Sequence, residues 1–212
     1  MFQWNKQWNK TLQMARRLGI SDVDKELYQG RYIIHRDSSI DGGIYLGEGQ
    51  REAIVVDSID PRVRKLYELA KNRATINGIF IKGKLLRIVY DVVAETMPRQ
   101  DNYAVKKLVL REGLESDSKV SLGVFLEEGV GVCRHDALAC AVLLELFKNE
   151  GLIQGKPSVD RNYSIVFGGH AWCRYTNSAE ERWILDVRQG YIGRLEDAIP
   201  ENKWAYQRPD DF

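Results

Sequence analysis

Cysteine is scarce in this chain of 212 residues, with Cys133, Cys140 and Cys173 the only three. An odd number without framework spacing excludes a disulfide scaffold and points to a reducing compartment. Long apolar runs are missing as well. None approaches the ~18 residues needed to cross a bilayer, so no membrane span is expected. Charge of one sign is equally absent, since 31 Lys and Arg face 30 Asp and Glu. With so even a balance, no net field recruits nucleic acid or anionic lipid. The opening "MFQWNKQWNK" is polar and lacks the apolar centre of a secretory signal. A cytoplasmic protein is expected, although a leaderless secreted effector would carry the same features. "GEGQRE" (47–52) lacks the strand–loop–helix setting of a phosphate-binding fingerprint. No cofactor is expected.

What is present reads as α+β. "FQWNKQWNKTLQMARRLGI" has Trp4, Trp8, Leu12 and Ala15 on one stripe, an amphipathic helix expected to dock on the protein's own core, with a membrane surface as the alternative. The runs "YIIH", "GIYL" and "EAIVV" predict a small hairpin or meander before residue 57. Asp60-Pro61 opens a helix with a capping residue ahead of proline. "GKLLRIVYDVVAETM" repeats apolar residues at helical spacing, and "NYAVKKLVLREG" predicts a further short helix. "SDSKVSLGVFLEEGVG" is expected to be a loop. After a helix ending near Glu150, the segments "YSIVF", "HAWCRY" and "WILDV" predict antiparallel strands. Residues 1–80 read as an N-terminal extension, and residues 81–212 as the core.

The stretch "GVGVCRHDALACAVLLELF" carries the chemistry. From Ala137 to Phe147 only Glu145 is polar, so Cys133 opens a helix buried on most sides. Free N–H groups and the positive dipole end at such a start favour thiolate and can hold an oxyanion. Cys140, two turns on, is expected to be core. Three histidines are available as a base. His35 has no supporting pattern. His135 points to a different side of the helix from Cys133 and reads as a surface or hydrogen-bonded first-turn residue.

His170 follows two glycines and begins a strand, sharing a face with Trp172 and Arg174. If Thr176 to Glu180 form the turn, Tyr175 opposes Glu181 and His170 opposes Asp186, with β-carbons roughly 4.5–5.5 Å apart. A one-residue slip would move Asp186 to the other face. Asp186 interrupts an apolar strand, where it needs a partner or a local backbone bond. Cys133, His170 and Asp186 therefore form the candidate catalytic set. Trp172 either walls the site or packs in the core. A zinc site using Cys133, His135, His170 and Cys173 matches no common ligand spacing, and no metal is expected.

Cys at a helix start, His in "GGHAW" and Asp in "WILDV", in that order, resemble the transglutaminase-like superfamily of the papain-like group. The segment from Ser121 to Phe147 is particularly similar to the peptidase-like region preceding the kinase domain in some plant Raf-type kinases. The resemblance covers about residues 82–193. It implies a papain/transglutaminase-like core, in which the helix opened by the cysteine packs on an antiparallel sheet. It also implies a Cys133 nucleophile, a His170 base and an orienting Asp186. The implied activity is that of a cysteine protease, deamidase or acyltransferase on an amide of a protein or peptide, through an acyl-thioester. The family includes inactive members, so a non-catalytic interaction module is the alternative. Its calcium sites are not visible here. Gln100, Asn102 and Tyr103 are candidates for the family's side-chain oxyanion donor. The sequence leaves the oligomeric state open.

Overall fold

The computed structural model describes residues 27–47, 52–98, 101–112, 118–164, 168–198, 206–208 and 211. The amphipathic helix expected over residues 2–20 lies outside them. The described residues form a mixed α+β fold. Its centre is one long helix laid on a four-stranded antiparallel sheet.

The N-terminal half begins with a two-stranded hairpin, β1 (Leu27–Tyr28) and β2 (Arg31–Tyr32). The expected hairpin follows as β3 (Ile44–Leu46) and β4 (Ala53–Val55), paired antiparallel. Helix α1 (Pro61–Arg73) starts as its sequence requires: the Asp60 carboxylate accepts from the Arg62 N–H at 2.9 Å and proline occupies the first turn. It buries Val63, Leu66, Tyr67 and Ala70, one stripe at helical spacing. A hairpin of β5 (Thr75–Ile76) and β6 (Ile79–Phe80) leads to helices α2 (Leu85–Thr96) and α3 (Asn102–Arg111).

The segment expected to be a loop is instead strand β7 (Lys119–Ser121) and helix α4 (Leu122–Glu128). β7 extends the first sheet by pairing parallel to β4. The Ser121 hydroxyl caps α4 by accepting from the Gly123 N–H at 3.0 Å, and Gly129 closes it in the left-handed region, φ 62°. The same hydroxyl donates to Asp60 at 2.5 Å, which locks α4 against the start of α1. A β-carbon on Gly123 would meet the Asp60 carboxylate oxygens at 2.5 and 2.6 Å and Arg62 Nε at 2.7 Å. Gly123→Ala is therefore expected to destabilise the fold by about 1–3 kcal/mol, read as a lower denaturation midpoint in urea.

Helix α5 (Cys133–Asn149) follows, then strands β8 (Gly155–Ser164), β9 (Gly168–Asn177), β10 (Arg182–Asp186) and β11 (Tyr191–Arg194). The sheet order is β11-β10-β9-β8 and every neighbour is antiparallel. Alternation along β9 gives the sheet two faces. Ala171, Cys173 and Tyr175 join the core around α5, while Trp172 joins Ile184, Leu195 and Tyr206 on the other side. The α5 core also takes in Ile40, Tyr45, Ile54, Val63 and Leu66, so one hydrophobic cluster crosses residue 80. Glu145, the lone polar residue in the apolar run of α5, accepts the N–H groups of Ile40 and Asp41 at 2.9 and 2.6 Å.

The hairpin register differs from expectation. Tyr175 pairs with Trp183, and Cys173 with Leu185. The turn is tighter than Thr176–Glu180: the Asn177 N–H donates to the Glu181 carbonyl at 3.0 Å, and Glu180 adopts φ 59°. The Asn177 side chain causes this by accepting from the N–H groups of Ala179 and Glu181, each at 2.9 Å. The strands are displaced by two residues, which preserves the face of every side chain. Asp186 is thus a diagonal neighbour of His170 rather than its direct partner.

Candidate active site

Cys133 is the first residue of α5, behind Val132 in extended conformation. It is half-buried, whereas Cys140 and Cys173 are fully buried. Burial raises the thiol pKa of both inner cysteines and keeps them inert. Burial also opposes ionisation of Cys133, but hydrogen bonds from the His170 imidazole and the Ala171 N–H, with the charges of His170 and Arg134, outweigh it. The pKa of Cys133 falls below that of an ordinary thiol.

His170 lies on β9, and its Nε2 is 2.6 Å from Asp186 Oδ2. With that nitrogen committed, Nδ1 is the one available to the thiol. Burial disfavours the imidazolium, yet the bonds to Asp186 and Cys133 prevail and raise its pKa to about 9. The two shifts favour a thiolate–imidazolium pair at neutral pH.

Asp186 ends β10 and is held from three directions. Its Oδ2 also accepts from the Tyr206 hydroxyl at 3.0 Å, and its Oδ1 accepts the Gln189 N–H at 3.0 Å. The partner in the site and the local backbone bond are therefore both present. Tyr206 stands edge-on to Trp172, ring centres 4.9 Å apart, and stacks on Tyr191 at 5.4 Å. Nothing in "WAYQRP" distinguishes Tyr206 in the sequence. Trp172 is 1% exposed and is core, with its ring centre 5.8 Å from that of His170.

His135 serves the backbone. Its Nδ1 accepts the Val132 N–H at 3.1 Å, its Nε2 lies 3.3 Å from Glu52 Oε1, and its ring packs on Phe125 at 4.0 Å. It is fully buried, so the surface alternative is overturned and the hydrogen-bonded one holds. Burial and the neighbouring Arg134 lower its pKa to about 4, which keeps it the neutral Nε2–H tautomer. The zinc ligand set is not assembled, because His135 faces Glu52 and Cys173 points to the Arg174 carbonyl at 3.8 Å. Among the described residues no group of three or more His, Cys, Asp or Glu side chains is arranged to hold a metal ion.

Asp136, one turn beyond Cys133, is buried, and neither carboxyl oxygen has a hydrogen-bond partner. Burial, then the nearby Cys133, pushes its pKa well above the usual range, which favours the neutral acid and leaves negative charge to the sulfur. Of the suggested oxyanion donors, Gln100 lies outside the described residues. Asn102 and Tyr103 are exposed at the start of α3, Tyr103 at 73%. The Cys133 N–H, in the first turn of α5, has no acceptor within the helix, the setting that suits an oxyanion.

No known family model, curated protein or solved structure matches the chain. No helix among the described residues is long and apolar enough to cross a membrane.

Proposed function

We propose that the chain is a thiol-dependent hydrolase or acyltransferase with a papain/transglutaminase-like core, acting on an amide carbonyl of a protein or peptide. The observation that carries this reading is the sulfur of Cys133 against an imidazole whose far nitrogen lies 2.6 Å from Asp186. In the resting pair the proton has already moved from Cys133 to His170. The thiolate attacks the carbonyl, and the Cys133 N–H meets the developing oxyanion. His170 then gives its proton to the departing amine, leaving an acyl-thioester. Neutral His170 next takes a proton from water or an amine as that nucleophile attacks, and the thiolate is released. Water makes the enzyme a peptidase or deamidase; an amine makes it a crosslinker. Asp186 stabilises the imidazolium and orients the ring.

The pH dependence follows from the signs of the shifts. Activity rises as Cys133 ionises below the ordinary thiol range and falls as His170 loses its proton near pH 9. A bell in kcat/KM with its alkaline limb near 9 is expected. Acylation by a peptide p-nitrophenyl ester, followed by intact mass, tests the reading. A single acyl adduct that disappears in Cys133→Ala supports it. Equal labelling of both proteins, or of neither, defeats it and leaves a non-catalytic module.

A further inference from the structure

The sequence left residues 1–80 without a role, and the structure draws one of them to the nucleophile. Glu52, at the entrance to β4, is 5% exposed, and its Oε1 accepts from Arg134 Nε at 2.7 Å and also from Arg134 Nη2. The same oxygen lies 3.3 Å from His135 Nε2. The Val132 N–H donates to His135 Nδ1 at 3.1 Å, which puts the ring proton on Nε2, the nitrogen that faces this carboxylate. One carboxylate oxygen thus anchors Arg134, the residue after Cys133, by hydrogen bonds and lies against the ring of His135, which holds Val132, the residue before it. Phe125 of α4 closes the far side of that ring at 4.0 Å.

We propose that Glu52 is a positioning residue for Cys133, contributed by the N-terminal segment, that holds the first turn of α5 in the form that ionises the thiol. The inference rests on the thiol-enzyme reading. Glu52 touches neither sulfur nor substrate and acts through the backbone on each side of the nucleophile. It also keeps Arg134, whose charge favours the thiolate, inside the protein rather than in solvent. A buried arginine without a counter-ion would leave, and the His135 Nε2–H would lose the negative charge it faces. Either event loosens the helix start.

The test is the rate of iodoacetamide alkylation of Cys133, measured from pH 5 to 9 on the full chain with Cys140→Ala and Cys173→Ala as background. Glu52→Gln removes the charge. A paired Glu52→Met, Arg134→Met replacement fills the site with apolar side chains and preserves folding where the single change does not. Both are expected to alkylate about tenfold more slowly at pH 6, with the midpoint moved up by about one unit and circular dichroism unchanged. A merely structural role would lower the melting temperature and leave the pH midpoint where it was. Folded variants that react at the background protein's rate across the range overturn the proposal alone. If the background protein itself reacts only as an ordinary thiol, the thiol-enzyme reading falls and takes this inference with it.

Discussion

His170→Ala is expected to slow alkylation of Cys133 at pH 6 by about 100-fold or more, and to reduce acyl transfer on the order of 10⁴-fold. The imidazole is the largest influence that stabilises the thiolate; without it, only the Ala171 N–H and the Arg134 charge are left to oppose burial, which pushes the pKa upward. A thiol of ordinary pKa is only about 0.3% ionised at pH 6, which sets the expected loss. The deficit should close as pH rises toward 9, because a thiolate of higher pKa is intrinsically the better nucleophile. That pH-dependent convergence separates loss of the base from general unfolding. A variant that remains folded and reacts like the parent at pH 6 would exclude His170 as the partner.

Asp186→Asn should be nearly as damaging to turnover, on the order of 10⁴-fold at neutral pH, while the fold survives. The carboxylate serves three donors: His170 Nε2, the Tyr206 hydroxyl and the Gln189 N–H. An amide has one acceptor atom and cannot serve all three. With its nitrogen toward His170, the ring must take the opposite tautomer, and its proton then points at the sulfur it should relieve. With its nitrogen toward Gln189, two N–H groups oppose each other and His170 still loses the charge that raised its pKa. Either way the ion pair weakens. The alkaline limb of kcat/KM should move below pH 9, and an unmoved limb would show that Asp186 does not govern His170.

The candidate set was legible because its signals are local. Glycines before Cys133 and an apolar run after it define a buried helix start, and period-two alternation put His170 and Asp186 on one face. The register escaped because a side chain determines it: Asn177 draws the turn tight through Ala179 and Glu181, with no glycine at the left-handed Glu180 to mark it. The face survived the error since the displacement was even. Strand β7 and helix α4 were missed for a different reason. Three and seven residues are too short to display a period, and the parallel pairing of β7 with β4 joins residues far apart in sequence. Glu52 and Tyr206 have no local signature at all. Each reaches the candidate site only through a neighbour that the fold supplies.

The central claim is that sulfur and imidazole share one proton in favour of the ring. It is tested most directly by thiolate absorbance near 240 nm, taken as the difference between the protein and its Cys133→Ser variant from pH 4 to 10. A thiolate signal already developed at pH 6 is predicted. A signal that emerges only near pH 9 would mean that the thiol is ordinary, and it would contradict the account.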